Sequence, residues 1–310
     1  MLGTRYPDLA IEESVLDPWG ILVVRADGSD LESVLSMAAV DVIIAGSRPR
    51  FDRGVLERLG VRAIVRAGIG VDAVDVATAA SLGIQVSNVP DYGTESVAQH
   101  AVALALAGSR RLIEADRLVR DGSWGFADLG PMHLPSGQTA GVLGQGRIGR
   151  RVAALFGDIG FGRVIGHDPY NEADAVEQVS FEDLLSHSDI LSVHVPGGAD
   201  PILGASEFAR MKAGSVLVNT ARGSLIDEAA LRQALLEERP RVACLDVFQQ
   251  EPPDIAQFDG VEHRMIFSPH QAWYTEESQA DLRTKAAEEA LRIISGQPRN
   301  YPVNDPETPR

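Results

Sequence analysis

Short apolar runs alternate with helix-spaced segments along almost the whole chain, and this pattern constrains the fold more than any other feature. Ile21–Val24, Val42–Ala45, Ala63–Val65 and Ile84–Val86 are apolar runs of strand length, while Asp30–Ala39, Asp52–Leu59 and Val74–Leu82 between them carry helical spacing. A strand that is apolar at every position must be covered on both faces, and the intervening helices supply the cover. The pattern therefore predicts parallel sheets in an α/β fold. A long helix rich in Ala and Leu is expected from Glu95 to Arg120, followed by a connector over Gly122–Gly137 that contains Pro131 and Pro135. A second series then offers strands at Thr139–Leu143, Arg163–His167, Ile190–Val195, Val216–Asn219, Val242–Val247 and Met265–Ser268. Helices fit at Ile148–Phe156, Phe181–His187, Ala205–Met211, Glu228–Glu238 and, before a Pro-rich tail, Thr275–Ser295. The chain has 310 residues, and single cores stop growing near ~250–300 residues, so two doubly wound domains are expected.

Charge and cysteine content remove other classes. With 44 acidic against 28 basic residues the formal net charge is −16; such a surface repels polyphosphate, so no nucleic-acid partner is expected. The single cysteine, Cys244, excludes an intramolecular disulfide and lies in the apolar run Val242–Leu245, where a buried strand residue is expected. The start, Met1–Arg5, lacks the basic-then-apolar layout of a signal peptide, and no run approaches ~20 apolar residues. No membrane span and no metal site are expected, and the cytoplasm is the expected compartment.

One strand ends in Gly144-Gln145-Gly146-Arg147-Ile148-Gly149. G-x-G-x-x-G alone is weak. Here an apolar strand runs into it and a helix leaves it, the context in which glycines let the backbone approach a pyrophosphate at a positive helix terminus. The next strand ends at Asp168, 168 − 149 = 19 residues after the last glycine. A carboxylate there accepts bonds from adenosine ribose hydroxyls and repels a 2′-phosphate; no Arg follows it, which favours NAD over NADP.

Three later strands each end in a chemically capable segment: Asn219-Thr220-Ala221-Arg222-Gly223, Asp246-Val247-Phe248-Gln249-Gln250-Glu251-Pro252 and Ser268-Pro269-His270-Gln271-Ala272-Trp273. Ligands of open parallel sheets sit at the carboxyl ends of strands, so all three segments are expected at one crevice. With these blocks, with Ile64 to Asp72 (Ile-Val-Arg-Ala-Gly-Ile-Gly-Val-Asp), with Asn88-Val89-Pro90 and with Met211-Lys212 through Asp227, nearly the whole chain resembles the D-isomer-specific 2-hydroxyacid dehydrogenase family.

The resemblance implies an NAD-dependent oxidoreductase interconverting a small D-2-hydroxy acid and its 2-keto acid, with Arg222, Glu251 and His270 as the catalytic group. The chemistry suits those types. A guanidinium can hold both oxygens of the substrate carboxylate, an imidazole can exchange a proton near neutrality, and a carboxylate can fix its tautomer and favour its protonated form. The resemblance further places Gln145 to Ile148 under the pyrophosphate, Val195-Pro196 beside the adenosine, and Thr220, Ala221 and Asp246 toward the nicotinamide. Ile69 and Gly70 would offer backbone amides to the substrate carboxylate, and Trp273 would line the substrate pocket. His194 reads as a wall residue and His100 as structural.

Architecturally it implies a Rossmann dinucleotide domain (97–276) inserted into a flavodoxin-like substrate domain (1–96 and 277–310), catalysis in the cleft between them, and a homodimer formed through the long helix and the connector with Trp124. Three departures bear on substrate and cofactor detail: Gln99 where many members have Glu, Gly93 for an Asn or Ser, and Gly197-Gly198 for Leu-Thr. His270-Gln271-Ala272-Trp273-Tyr274 is similar to the branch that contains the carboxy-terminal-binding-protein corepressors, so one rival is an NAD(H)-sensing binding protein. Another is a dehydrogenase of phosphorylated hydroxy acids such as 3-phosphoglycerate, for which Arg48, Arg50 and Arg66 are the candidate phosphate ligands. Nothing specific supports formate oxidation.

Overall fold

The structure, a computed structural model, describes residues 1–4, 6–26, 35, 40–170 and 176–306. They form two compact units, Met1–Gly93 with Thr275–Arg310, and Thr94–Tyr274.

In the smaller unit, β1 (Val42–Ala45), β2 (Ala63–Arg66) and β3 (Gln85–Ser87) form a parallel sheet in the order β1-β2-β3. Leu2 and Ala26 extend it beyond β1 by isolated parallel bridges, Leu2 to Ala45 and to Ala26. Around it run α1 (Ala10–Leu16), α2 (Arg53–Arg58) and α3 (Val76–Ser81), the last two capped by the side chains of Asp52 and Asp75. The expected strand Ile21–Val24 does not form. That segment is irregular, with Leu22 84% and Val24 45% exposed, because among the described residues it lies at the sheet's edge with no neighbour burying its outer side. The helix expected over Asp30–Ala39 falls largely outside the described residues.

In the larger unit, the expected helix Glu95–Arg120 is two: α4 (Thr94–Ser109) and α5 (Leu112–Arg120). They part at Arg111, which adopts φ 52°, is buried, and donates from Nη2 to the Pro131 carbonyl at 3.3 Å. Gly108 lies in the last turn of α4, but the left-handed residue at the break is Arg111. The break arises because Arg111 turns inward under the connector.

A seven-stranded sheet follows: β4 (Thr139–Leu143), β5 (Arg163–His167), β6 (Glu177–Gln178), β7 (Ile190–Val193), β8 (Val216–Asn219), β9 (Val242–Leu245) and β10 (Met265–Phe267). All pairings are parallel and the order is β10-β9-β8-β7-β4-β5-β6. The order reverses between β4 and β7. Successive strand residues alternate between two cores: β8 sends Leu217 to one, beside Leu184, Phe208 and Leu231, and Val216 and Val218 to the other, beside Ala101, Ala105 and Val152. Burial on both faces is why these strands are apolar throughout. The flanking helices are α6 (Arg147–Ile159), α7 (Phe181–His187), α8 (Ala205–Arg210) and α9 (Glu228–Leu236). The chain ends with α10 (Glu276–Ile294), which returns to the smaller unit. Cys244 is fully buried in β9, and burial raises its thiol far above the ordinary range.

Candidate functional site

The loop after β4 and the chain leaving β7 meet at the reversal of strand order, where an open parallel sheet leaves a crevice. Gly144 sits at φ 93°, and a Cβ there would lie 2.6 Å from the His194 carbonyl oxygen; a Cβ on Gly149 would lie 1.9 Å from the Gly144 carbonyl oxygen. These two glycines let strand, loop and helix close up. Gly146 differs: a Cβ there meets nothing within 4 Å, so the space over the loop is open. It caps α6 without a side-chain hydrogen bond, at the kind of helix N-terminus that attracts an anion. Asp168, at the end of β5, accepts from the amides of Gln145 (2.7 Å) and Tyr170 (2.9 Å), which fixes its carboxylate beside the loop. Gln145 is wholly buried, its amide held by Asp168 and its carbonyl accepting from Arg150 Nε at 2.7 Å.

On the other side of the crevice, Asn219 shapes the turn after β8. Its Oδ1 accepts from the Ala221 amide at 3.0 Å and its Nδ2 donates to the Arg222 carbonyl at 2.8 Å. Thr220 is buried and its Oγ1 has no hydrogen-bond partner among the described residues. An orphaned hydroxyl, a helix N-terminus capped by glycine and an open glycine loop fit a dinucleotide. Val195 packs against the loop at Gly144, and Pro196 is exposed beside it. Burial pushes the His194 imidazole down to about 3, so it stays neutral, with Nε2 2.7 Å from Ser192 Oγ.

Glu251 and His270 come together although 19 residues apart: His270 Nδ1 lies 2.7 Å from Glu251 Oε2. Burial pushes Glu251 up. The hydrogen bond and charge of His270, the Phe248 amide and the Arg222 charge together hold it below the ordinary carboxylate range. Glu251 is therefore ionised at neutral pH and, holding Nδ1, leaves Nε2 as the nitrogen that can exchange a proton. His270 adopts φ 53°, a left-handed conformation that a non-glycine residue holds only when its surroundings impose it. Arg222 is half-buried and donates from Nη1 to the Ala221 carbonyl at 2.7 Å. Trp273, half-buried, stacks edge-on against Tyr274 with ring centroids 5.7 Å apart.

Ile69 and Gly70 belong to the smaller unit, in the loop after β2. The Ile69 carbonyl accepts from Asn88 Nδ2 at 2.7 Å, and the Gly68 carbonyl from the Val89 amide at 3.1 Å.

Sequence reading missed the partners of Asp246. Its carboxylate is buried and accepts from Ser268 Oγ (2.6 Å) and from the amides of Gln271 (3.0 Å) and Ala272 (2.9 Å). It missed Glu228 as well, which accepts from the Gln249 amide at 2.7 Å and so braces the loop bearing Glu251. Neither pattern has a local sequence signal.

Residues 102–272 match the family model described as "D-isomer specific 2-hydroxyacid dehydrogenase, NAD binding domain". The chain is 34% identical over 309 residues to a glyoxylate reductase of Aeropyrum pernix, covering 95% of this chain and 89% of that one. It is 35% identical over 295 residues to a D-3-phosphoglycerate dehydrogenase of Archaeoglobus fulgidus, covering 91% of this chain. The chain spans only 55% of the length of that relative. Among solved structures, the apo form of D-lactate dehydrogenase from Escherichia coli superposes with a TM-score of 0.84 at 28% identity, over 98% of both chains.

Proposed function

Because the chain belongs to the D-isomer specific 2-hydroxyacid dehydrogenase family, we propose that it interconverts a small 2-keto acid and its D-2-hydroxy acid with NAD(H). The observation that carries this reading is the 2.7 Å contact of His270 with an ionised Glu251, on a unit whose glycine loop fits a dinucleotide. NADH, when bound, supplies the hydride to the carbonyl carbon. His270 donates the proton to the carbonyl oxygen, Glu251 holds the imidazole's orientation and tautomer, and Arg222 takes the substrate carboxylate. Asp168, fixed at the end of β5, takes the adenosine ribose and favours NAD over NADP. Ile69 and Gly70 are proposed for the substrate carboxylate and Trp273 for the substrate side chain.

The test is NADH oxidation with a panel of 2-keto acids: glyoxylate, hydroxypyruvate, its 3-phosphate, pyruvate, and aromatic and thioether keto acids. Turnover of at least one is expected. Tight NADH binding without any turnover would instead leave an NAD(H)-sensing binding protein.

A phosphorylated substrate is the second reading, and one observation favours it. The loop after β1, with Arg48 and Arg50, is tied to the loop bearing Ile69 and Gly70: the Phe51 amide donates to the Ala73 carbonyl at 2.7 Å and the Asp75 amide to the Phe51 carbonyl at 2.9 Å. Two arginines thus sit on the loop beside the one proposed for the carboxylate. Preference for 3-phosphohydroxypyruvate over hydroxypyruvate, lost in Arg50→Gln, would select this reading.

The proposal extends to assembly and place. Leu112, Ile113 and Val119 of α5 and Trp124 (91%), Phe126 (83%) and Leu134 of the connector are large apolar side chains left exposed in one stretch of the chain. A second copy is the proposed cover, giving a homodimer that Trp124→Asp should dissociate in sedimentation velocity. No helix among the described residues is long and apolar enough to cross a membrane. The cytoplasm, where NAD(H) and small keto acids meet, is the proposed compartment.

A further inference from the structure

His270 stands on the turn Ser268–Ala272, and Asp246 at the end of β9 sets the shape of that turn. The His270 amide donates to the Asp246 carbonyl at 2.8 Å, while the Gln271 and Ala272 amides donate to its carboxylate. Asp246 is 1% exposed, so these bonds to a charged acceptor are hardly screened and define the turn strongly. Which way the carboxylate faces is fixed in turn by Ser268, whose hydroxyl donates to Asp246 Oδ1 at 2.6 Å. A hydroxyl has one proton, so once it is committed to Asp246 the Ser268 oxygen is an acceptor.

His100 meets it there. Its Nε2 lies 3.1 Å from Ser268 Oγ and 3.7 Å from Asp246 Oδ1. Since Ser268 Oγ accepts at this contact, the proton is on His100 Nε2, and the imidazole is a donor. His100 belongs to α4, whose Ala98, Ala101 and Ala105 are fully buried against the seven-stranded sheet. The series α4, His100, Ser268, Asp246, His270 therefore runs from a packed helix to a residue in a left-handed conformation.

On the reading that His270 exchanges the substrate proton, we infer that His100 is a positioning residue for it. His100 orients the Ser268 hydroxyl, Ser268 fixes the Asp246 carboxylate, and Asp246 holds His270 in its left-handed conformation. His100 touches no reacting atom. A His100 that merely stabilised the fold would leave the His270 imidazole where it is when removed.

The test uses the full chain saturated with NADH. His100→Ala keeps a good helix former at a site whose side chain is 24% exposed, so the variant is expected to fold. His100→Gln restores an N–H donor of similar reach. We expect His100→Ala to lower kcat about 10- to 100-fold, the effect of misplacing a reacting group by roughly 1 Å, with KM and NADH affinity little changed. His100→Gln should recover most of that loss. Carbon-13 histidine NMR supplies a readout independent of turnover, with the His270 resonance assigned through His270→Ala. It should move in His100→Ala and return in His100→Gln. An unmoved His270 resonance in His100→Ala overturns the inference, as does equal impairment of both variants with a matching fall in melting temperature. Should the unsubstituted protein reduce no keto acid, the functional reading fails by itself, and the NMR arm still decides whether His100 positions His270.

Discussion

In the smaller unit Arg283 Nη2 lies 2.6 Å from Glu12 Oε2, with 4% and 0% of the two side chains exposed. In the larger unit His270 Nδ1 lies 2.7 Å from Glu251 Oε2, with 48% and 37% exposed. The distances are nearly equal and the surroundings are opposite. Arg283 also donates to the Asp8 carbonyl and carboxylate and lies 4.7 Å over the Tyr6 ring, whose phenol burial pushes up to about 12. Arg283 keeps its proton at any pH the fold survives, so this pair joins α1 to α10 and nothing more. The Glu251 pair holds one nitrogen of a half-exposed ring, and in the proposed function the other exchanges a proton. Length does not separate a fixture from a working group; exposure and the chemistry of the cation do.

That contrast can be broken by removing either side. The largest effect should come from His270→Ala, which should lower turnover by ~10²–10⁴-fold while the melting temperature stays close to that of the parent. A folded His270→Ala enzyme of undiminished kcat would end the assignment. Glu12→Ala should do the reverse. It leaves Arg283 buried with Asp8 as its only carboxylate among the described residues, at a cost of about 3–5 kcal/mol, read as an earlier midpoint in urea at unchanged slope. Superimposable urea curves would show that the buried pair is not a fixture.

Arg222→Lys comes next. It keeps the charge and loses the fork, so kcat/KM should fall about 10- to 100-fold, the worth of one charge-assisted hydrogen bond, with NADH affinity unchanged. Weakened NADH binding in that variant would place Arg222 on the coenzyme instead.

The smallest effect concerns acid. The Glu251 carboxyl is depressed below its ordinary value of 4.5. Its contribution to stability is therefore whole above that pH and is lost as pH falls through the lower, folded-state value. Glu251→Gln has no such proton to take up, so its stability should fall less steeply than the parent's below pH 4.5. Parallel acid-unfolding profiles would remove the charge from the account.

Local signals made much of this molecule legible in its sequence. The strand leading into Gly144–Gly149, the spacing to Asp168 and the apolar runs of β4, β5 and β8 depend on near neighbours, and the structure places those strands where the runs lie. What sequence could not show depends on distant partners. Arg111 breaks a helix because it reaches Pro131, 20 residues on. Ile21–Val24 looks like a core strand but lies at an edge. His100 reads as one more polar residue of a helix, and its partner Ser268 is 168 residues away. Composition and period carry no record of such contacts.

The central claim is that a hydride and a proton pass to opposite ends of one carbonyl, the proton by way of His270. Deuteride transfer tests it most directly. With NADH deuterated at both C4 positions and a keto acid other than glyoxylate found by the panel, the product should be the D-2-hydroxy acid labelled at C2, seen by NMR after chiral separation, and His270→Ala should form it at a small fraction of the rate. Unlabelled product, L-product, or the same rate of labelling in His270→Ala would contradict it.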